Sequence, residues 1–325
     1  MAAWAWSIWP AIFASDGWSP SRCSPGPALA LTRTDSWPRR GLAPDAARIA
    51  TIDQGGTLRL WDRGGELLAE VATGQLSPQV TWSHDGTRLL IAGGNSAVVW
   101  DASSRARLLE LIGHADHVYV ATYAPDQSRI VTASRDQTAR IWDARTGDLL
   151  LTLQGHTDRV VFADFDPAGK RVVTASADRT ARIWDATSGA LLHTLAGHTQ
   201  AVMTAHFSAD GTRVITGGED GDAMLWSDQG ARLLTFDGHG DTIGEAVLSA
   251  DGQLAATACH DGEVGFWDTT SGALLWSFDL HPARAQSAMF DATGELLLVA
   301  GTKGASLWNV ARDHRTADQI QVFAD

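Results

Sequence analysis

The sequence predicts an all-β chain assembled from seven copies of a four-stranded antiparallel unit. Three observations predict it. A Trp-Asp pair or a close relative recurs at Trp61-Asp62, Trp100-Asp101, Trp142-Asp143, Trp184-Asp185, Trp226-Ser227, Trp267-Asp268 and Trp308-Asn309, at spacings of 39, 42, 42, 42, 41 and 41 residues. A fixed period in this range marks stacked supersecondary units, none able to bury its own faces. Residues 130–158 return at 172–200 with 20 of 29 positions identical. Each copy also breaks into four short apolar runs separated by turn residues.

One unit shows how the elements follow from the residues. RVVFADF (159–165) is a strand and DPAG (166–169) a turn, in which Pro167 presets φ and Gly169 tolerates a positive φ. Asp166 therefore reads as an exposed turn residue. KRVVTAS (170–176) is a second strand and ADR (177–179) a tight turn. TARIWD (180–185) is a third strand, ATSG (186–189) a loop and ALLHTL (190–195) a fourth strand. The inner strands are apolar almost without a break, the pattern of a sheet covered on both faces. An irregular sandwich cannot account for the period.

The ends of the chain are less regular. Residues 1–27 open apolar and turn rich in Ser, Pro and Gly, the composition of a disordered tail or of an extension outside the domain. A secretory signal is the alternative, but the stretch lacks a basic start and is broken by Pro10. Three inner strands can be found in every unit, so the last unit needs an outer strand from one terminus. ALAL (28–31) is one source, because RTDSW (33–37) aligns with HTDRV (156–160) and places it in the outer-strand slot. QIQVF (319–323) is the other. Thr316 and Gln319, however, form a capping box, and Ile320 and Phe323 share a helical face. The expectation is one domain over 28–315, closed by residues 28–31, followed by a tail (316–325) that starts a helix.

Composition bounds the function. The net charge is −13 with no basic run, which argues against nucleic acid and anionic membranes as partners. No stretch reaches the ~18 apolar residues of a membrane helix. Cys23 and Cys259 form neither a disulfide framework nor a metal spacing, and fit a reducing, cytoplasmic setting.

The repeat resembles the WD-repeat family. The resemblance covers about residues 28–310 and rests on seven Trp-Asp-type endings, four Gly-His pairs and an Asp six residues before Trp in four units. It implies a seven-bladed β-propeller of four-stranded antiparallel blades. It also implies a buried network in units three to six. His114, His156, His198 and His239 stand 28 residues before the Trp, and Asp136, Asp178, Asp220 and Asp261 stand six before it. Thr132, Thr174, Thr216 and Thr257 stand ten before it, and Ser134 and Ser176 eight before. These groups, with Trp142, Trp184, Trp226 and Trp267, can satisfy one another once buried: Asp accepts from imidazole, imidazole pairs with hydroxyl, and the indole N–H needs an acceptor. Gly218 and Cys259 replace the Ser in units five and six, leaving Thr216 and Thr257 to serve there. Units one, two and seven depart further and read as blades held by packing.

The remaining histidines make no catalytic pattern. His114 and His117 form an H-x-x-H across a loop, not on a helical face. No nucleophile elbow, zincin motif or phosphate loop is present, and neither a catalytic group, a metal nor a cofactor is expected. The network ties the loop after each Gly-His to the turn before each Asp, so both lie at one end of the blade. Residues there that do not join the network are the candidate site: His117, Arg135, Thr157, Arg159, Glu219, Thr242 and His260. The set has Arg and no Lys, as binding faces do. The expectation is a monomeric, non-catalytic scaffold or sensor that presents this face to a protein or peptide, with Arg135 and Arg159 as anchors. The alternatives are a regulatory domain detached from a catalytic kinase or NTPase partner, and an enzyme using the central channel.

Overall fold

The computed structural model describes residues 39–42, 48–53, 55–62, 66–75, 79–280, 285–290, 296–301, 304–310 and 317–324. Every regular element among them is a strand, and the strands form seven four-stranded antiparallel sheets. Blade one comprises Arg39–Leu42, Arg48–Ile52, Thr57–Asp62 and Leu67–Ala72, and blade two Gln79–Trp82, Arg88–Gly93, Ser96–Asp101 and Arg107–Ile112. Blade three comprises Val118–Tyr123, Arg129–Ser134, Ala139–Asp143 and Leu149–Leu153, and blade four Val160–Phe165, Arg171–Ser176, Thr180–Asp185 and Leu191–Ala196. Blade five comprises Val202–Phe207, Arg213–Gly218, Ala223–Ser227 and Arg232–Phe236, and blade six Ile243–Leu248, Leu254–Cys259, Glu263–Asp268 and Leu274–Asp279. Blade seven comprises Ala285–Phe290, Leu296–Gly301, Gly304–Val310 and Ala317–Ala324.

The strands pair in chain order within each blade. The first strands of consecutive blades pack on one another from blade one to blade seven, so they are the innermost. The core lies between blades, and this explains the unbroken apolar runs. In blade four, Val172 and Trp184 pack toward blade three, against Val131 and Ile141. Their neighbours Val173 and Ile183 pack toward blade five, against Val202, Val214 and Trp226. Alternating side chains thus point to opposite faces and both are buried. Fourth strands are wetter: Leu191 and Leu192 are exposed while Leu195 is buried.

The last blade corrects the expected closure. Its outer strand is Ala317–Ala324, which pairs antiparallel with Gly304–Val310 through Gly304↔Ala324 to Val310↔Ala317. Residues 317–324 are therefore strand, not the expected helix start. QIQVF also alternates with period two, and an unpaired edge of the third strand offers it a ladder of backbone bonds that a lone helical turn cannot match. Residues 28–31 lie outside the described residues.

Candidate interaction face

The repeated polar residues form one chain of hydrogen bonds in each of blades three to five. In blade four, Trp184 Nε1 donates to Thr174 Oγ1 at 2.9 Å, Thr174 Oγ1 lies 2.8 Å from His156 Nε2, and His156 Nδ1 lies 2.7 Å from Asp178 Oδ2. Blade three repeats this with Trp142, Thr132, His114 and Asp136 at 2.9, 2.7 and 2.8 Å. Blade five repeats it with Trp226, Thr216, His198 and Asp220 at 2.9, 2.8 and 2.9 Å. Direction follows from chemistry. Indole only donates and carboxylate only accepts, so Nδ1 carries the imidazole hydrogen and Nε2 accepts from the threonine. The His156 side chain is 0% exposed and that of Asp178 4%.

Burial pushes the pKa values of His114 and His156 below the ordinary histidine range, against the pull of their carboxylate partners, so both imidazoles are neutral at pH 7. Burial opposes ionisation of Asp136, but bonds from the Thr138 hydroxyl, His114 and the Ala115 N–H outweigh it and bring its pKa down to about 2.

The serines act elsewhere than in the imidazole pair. Ser134 Oγ donates to Asp116 O at 3.0 Å and accepts from Asp136 N at 3.1 Å; Ser176 Oγ does the same with Asp158 O and Asp178 N, both at 3.1 Å. They fasten the incoming loop while threonine carries the chain. The glycine before the histidine has a packing reason in blades three to five. A Cβ on Gly113 would meet the Arg140 guanidinium at 2.5 Å and the Trp142 ring at 3.3 Å.

Blade six departs from the expected network. His239 Nε2 reaches Thr257 Oγ1 at 2.7 Å and Trp267 Nε1 donates to Thr257 at 2.8 Å. Asp261, however, accepts from Gly240 N and Glu263 N, and His239 Nδ1 has no hydrogen-bond partner. Blade one keeps one link, at the same offset of ten residues, Trp61 Nε1 to Thr51 Oγ1 at 2.9 Å. In blade two, Leu90 stands where the threonine would be, and Trp100 Nε1 is buried without a partner.

The network assembles the end face. Arg135 N donates to His117 O, Ala177 N to Arg159 O, Glu219 N to Ala201 O and His260 N to Thr242 O, at 2.8, 3.0, 2.8 and 2.9 Å. These four bonds sew each loop after Gly-His to the turn before the network Asp. Arg135 and Thr157 are exposed; His117, Arg159, Glu219, Thr242 and His260 are half-buried. His117 stands edge-on to Tyr119, ring centroids 5.0 Å apart. Three carboxylates share this end and were not in the expected set: Asp116, Asp158 and Asp241 are exposed, and each caps the N–H of the residue after it. Arg135 lies 3.8 Å from Asp116. The face is therefore mixed in charge, and its signal was the Asp two residues after His in three of the four loops.

The opposite end carries a device the spacing also contained. Arg48, Arg129, Arg171 and Arg213 each start a second strand and donate to a turn carbonyl of the next blade, at Gly86, Gly169, Gly211 and Gly252, over 2.8, 2.5, 2.6 and 2.7 Å. Arg171 also binds Asp228 of the next blade and its own Asp166, both at 3.0 Å. Asp166 is accordingly not an exposed turn residue. It is 2% exposed, because its carboxylate folds back onto the N–H groups of Lys170 and Arg171.

On the innermost strands, unphased acid and base groups do converge. His206 Nε2 lies 2.8 Å from Glu245 Oε1 and its Nδ1 3.6 Å from Asp164 Oδ2, and Thr204 donates to the same Glu245 oxygen at 2.7 Å. Burial opposes protonation of His206, but the two carboxylates outweigh it and raise its pKa to about 10. The imidazole is thus a fixed cation at pH 7, with no lone pair to act as a base.

Repeated blades joined by their inner strands, three of them pinned by a complete Trp–Thr–His–Asp chain, define a repeat-built β-propeller. The model of the WD domain, G-beta repeat, matches residues 105–143, 147–185, 189–227 and 230–268. The chain is a WD-repeat protein. Each matched repeat begins with the outer strand of one blade and continues with the three inner strands of the next, so covalent continuity locks neighbouring blades together. The chain is 37% identical over 59 residues to the intraflagellar transport protein 122 homolog of Xenopus tropicalis, which is 18% of this chain and 5% of that protein. It is 28% identical over 118 residues to WD repeat-containing protein srw1 of Schizosaccharomyces pombe, 34% of this chain and 20% of that protein. It is 31% identical over 98 residues to cell division cycle 20.1, cofactor of APC complex, of Arabidopsis thaliana, 28% of this chain and 21% of that protein. The matches thus span about a fifth or less of each relative.

Proposed function

We propose that the chain is a non-catalytic interaction scaffold that binds a protein or peptide on the end face carrying His117, Arg135, Thr157, Arg159, Glu219, Thr242 and His260. What supports this most is the set of four backbone bonds that hold these loops rigid while their unphased side chains remain accessible. Preorganised loops on a stiff scaffold bind without a large ordering cost. The mixture of Arg135 and Arg159 with Asp116, Asp158, Asp241 and Glu219 favours a partner segment with both charges over a polyanion. The imidazole of the Asp164–His206–Glu245 cluster is held charged and so offers no general base at pH 7. One relative bears the name of a cofactor of the APC complex, which accords with a role in assembly.

The test is a binding measurement against a partner recovered from native lysate. Arg135→Glu/Arg159→Glu should weaken the complex by at least about tenfold, as loss of an interface anchor does. Arg145→Glu, an exposed arginine in the loop at the opposite end of blade three, should not. Loss of binding with Arg145→Glu and retention with the double variant, both folded, refutes the choice of face.

A further inference from the structure

We propose that blade six holds one divalent metal ion of the zinc class, ligated by His239 Nδ1, Cys259 Sγ and Asp261, with Glu263 as fourth ligand. The departure of this blade from its neighbours carries the proposal. In blades three to five the histidine Nδ1 is bonded to aspartate. In blade six the His239 side chain is 2% exposed, yet its Nδ1 is buried with no hydrogen-bond partner. What differs from blades three to five is that no aspartate accepts from Nδ1. To ligate an ion, Nδ1 must offer its lone pair; Nε2 then carries the hydrogen and donates to Thr257, whose hydroxyl can donate in turn to the Gly265 carbonyl at 3.4 Å.

A second change coincides with the first. Where blades three and four carry Ser134 and Ser176, blade six carries Cys259, fully buried. One ligand atom each from His239, Cys259 and Asp261 lies within 4.8 Å of the other two. Bonds of about 2.0–2.3 Å to a tetrahedral ion bring ligand atoms to roughly 3.3–3.8 Å from one another, so only a small contraction is needed. Glu263 Oε2 stands 3.6 Å from His239 Nδ1. Nitrogen, sulfur and carboxylate oxygen together suit zinc rather than magnesium or calcium. The His239–Thr257–Trp267 chain behind the imidazole supplies the outer hydrogen bond that orients a metal-bound histidine. Asp261 and Glu263 also line an open cleft of about 450 Å³ with Ser277, Phe278 and Asp279, which gives the ion an entry route. On binding, the Cys259 thiol loses its proton to solvent and a metal–thiolate bond forms.

The experiment titrates the metal-stripped full chain with Co2+ and follows absorption. One equivalent should bind with a thiolate-to-cobalt charge-transfer band, be displaced by Zn2+, and raise the melting temperature. Cys259→Ser restores the serine of blades three and four. It should keep the metal-free melting temperature while losing the band and at least about tenfold in affinity. Glu263→Gln should also weaken binding, whereas Asp241→Asn and Cys23→Ser should not. Absence of a saturable one-to-one complex, a complex without the thiolate band, or equal binding by Cys259→Ser each overturns the proposal.

Discussion

Removing one carboxylate from the network of blade four tests its energetics. Asp178 accepts from Thr157 N, Thr180 N, Thr180 Oγ1 and His156 Nδ1 at 3.1, 3.0, 2.7 and 2.7 Å. In Asp178→Ala, water can reach the Thr157 amide, which is exposed. It cannot reach the imidazole, whose side chain is 0% exposed. A stranded buried donor costs about 1–3 kcal/mol, and the lost loop bonds add about 1 kcal/mol, for roughly 3 kcal/mol in all. At about 2 °C per kcal/mol for a chain of this size, the melting temperature should fall by about 6 °C. The control is Asp158→Ala, an exposed residue whose carboxylate caps the N–H of Arg159; its cost should stay within about 0.5 kcal/mol. Differential scanning calorimetry on both variants decides the matter. Equal shifts would refute the reasoning that burial of the imidazole sets the cost.

Further outcomes follow from the same geometry. Arg171→Ala removes the clamp from blade four to blade five and strands the buried Asp166 carboxylate, so it should destabilise by about 3–5 kcal/mol, and Arg171→Lys should not restore the loss because the forked contacts need guanidinium. Gln137 and Arg179 occupy the left-handed region at φ 72° and 73°, where blade five has Gly221 at φ 81°. Gln137→Gly should therefore be neutral or slightly stabilising, while Gly221→Ala should destabilise, since its Cβ would meet His239 O at 2.7 Å. His114, His156 and His239 have folded pKa values below the unfolded value, so their contribution is present above about pH 6.5 and is lost as pH falls through the folded values. His206 has the opposite sign: raised to about 10, it stabilises below about pH 6.5 and loses that contribution as pH rises toward 10. Melting temperature against pH should thus fall on both sides, with His206→Gln flattening only the alkaline limb. Truncation after residue 316 removes the outer strand of blade seven and should lower the melting temperature; an unchanged value would contradict the pairing of 304–310 with 317–324.

The fold was legible because the period is. Trp, His, Thr and Asp recur at constant offsets, and a group held in phase over four blades serves the blade itself. The arginine clamps were equally in phase, since Arg48, Arg129, Arg171 and Arg213 all stand 13 residues before a repeat Trp. They escaped notice because a charge at a strand start resembles any solvated charge until the next blade is placed beside it. Asp166 was misread for a related reason: turn position implies exposure, but its own turn and Arg171 cover it. At the C-terminus, a helical and a strand pattern overlap in QIQVF, and only a neighbouring open edge decides between them. The blade-six cluster has no motif, because its groups arrive from a loop, a strand end and a turn that the sheet brings together.

The central claim is that the phased residues build the frame and the unphased residues at one end meet the partner. A photo-crosslinking residue placed singly at positions 135, 159 and 145, in the full chain and in native lysate, tests it most directly. The expected result is the same discrete adduct from 135 and 159, with none from 145. An adduct from 145, with none from 135 or 159, would contradict it.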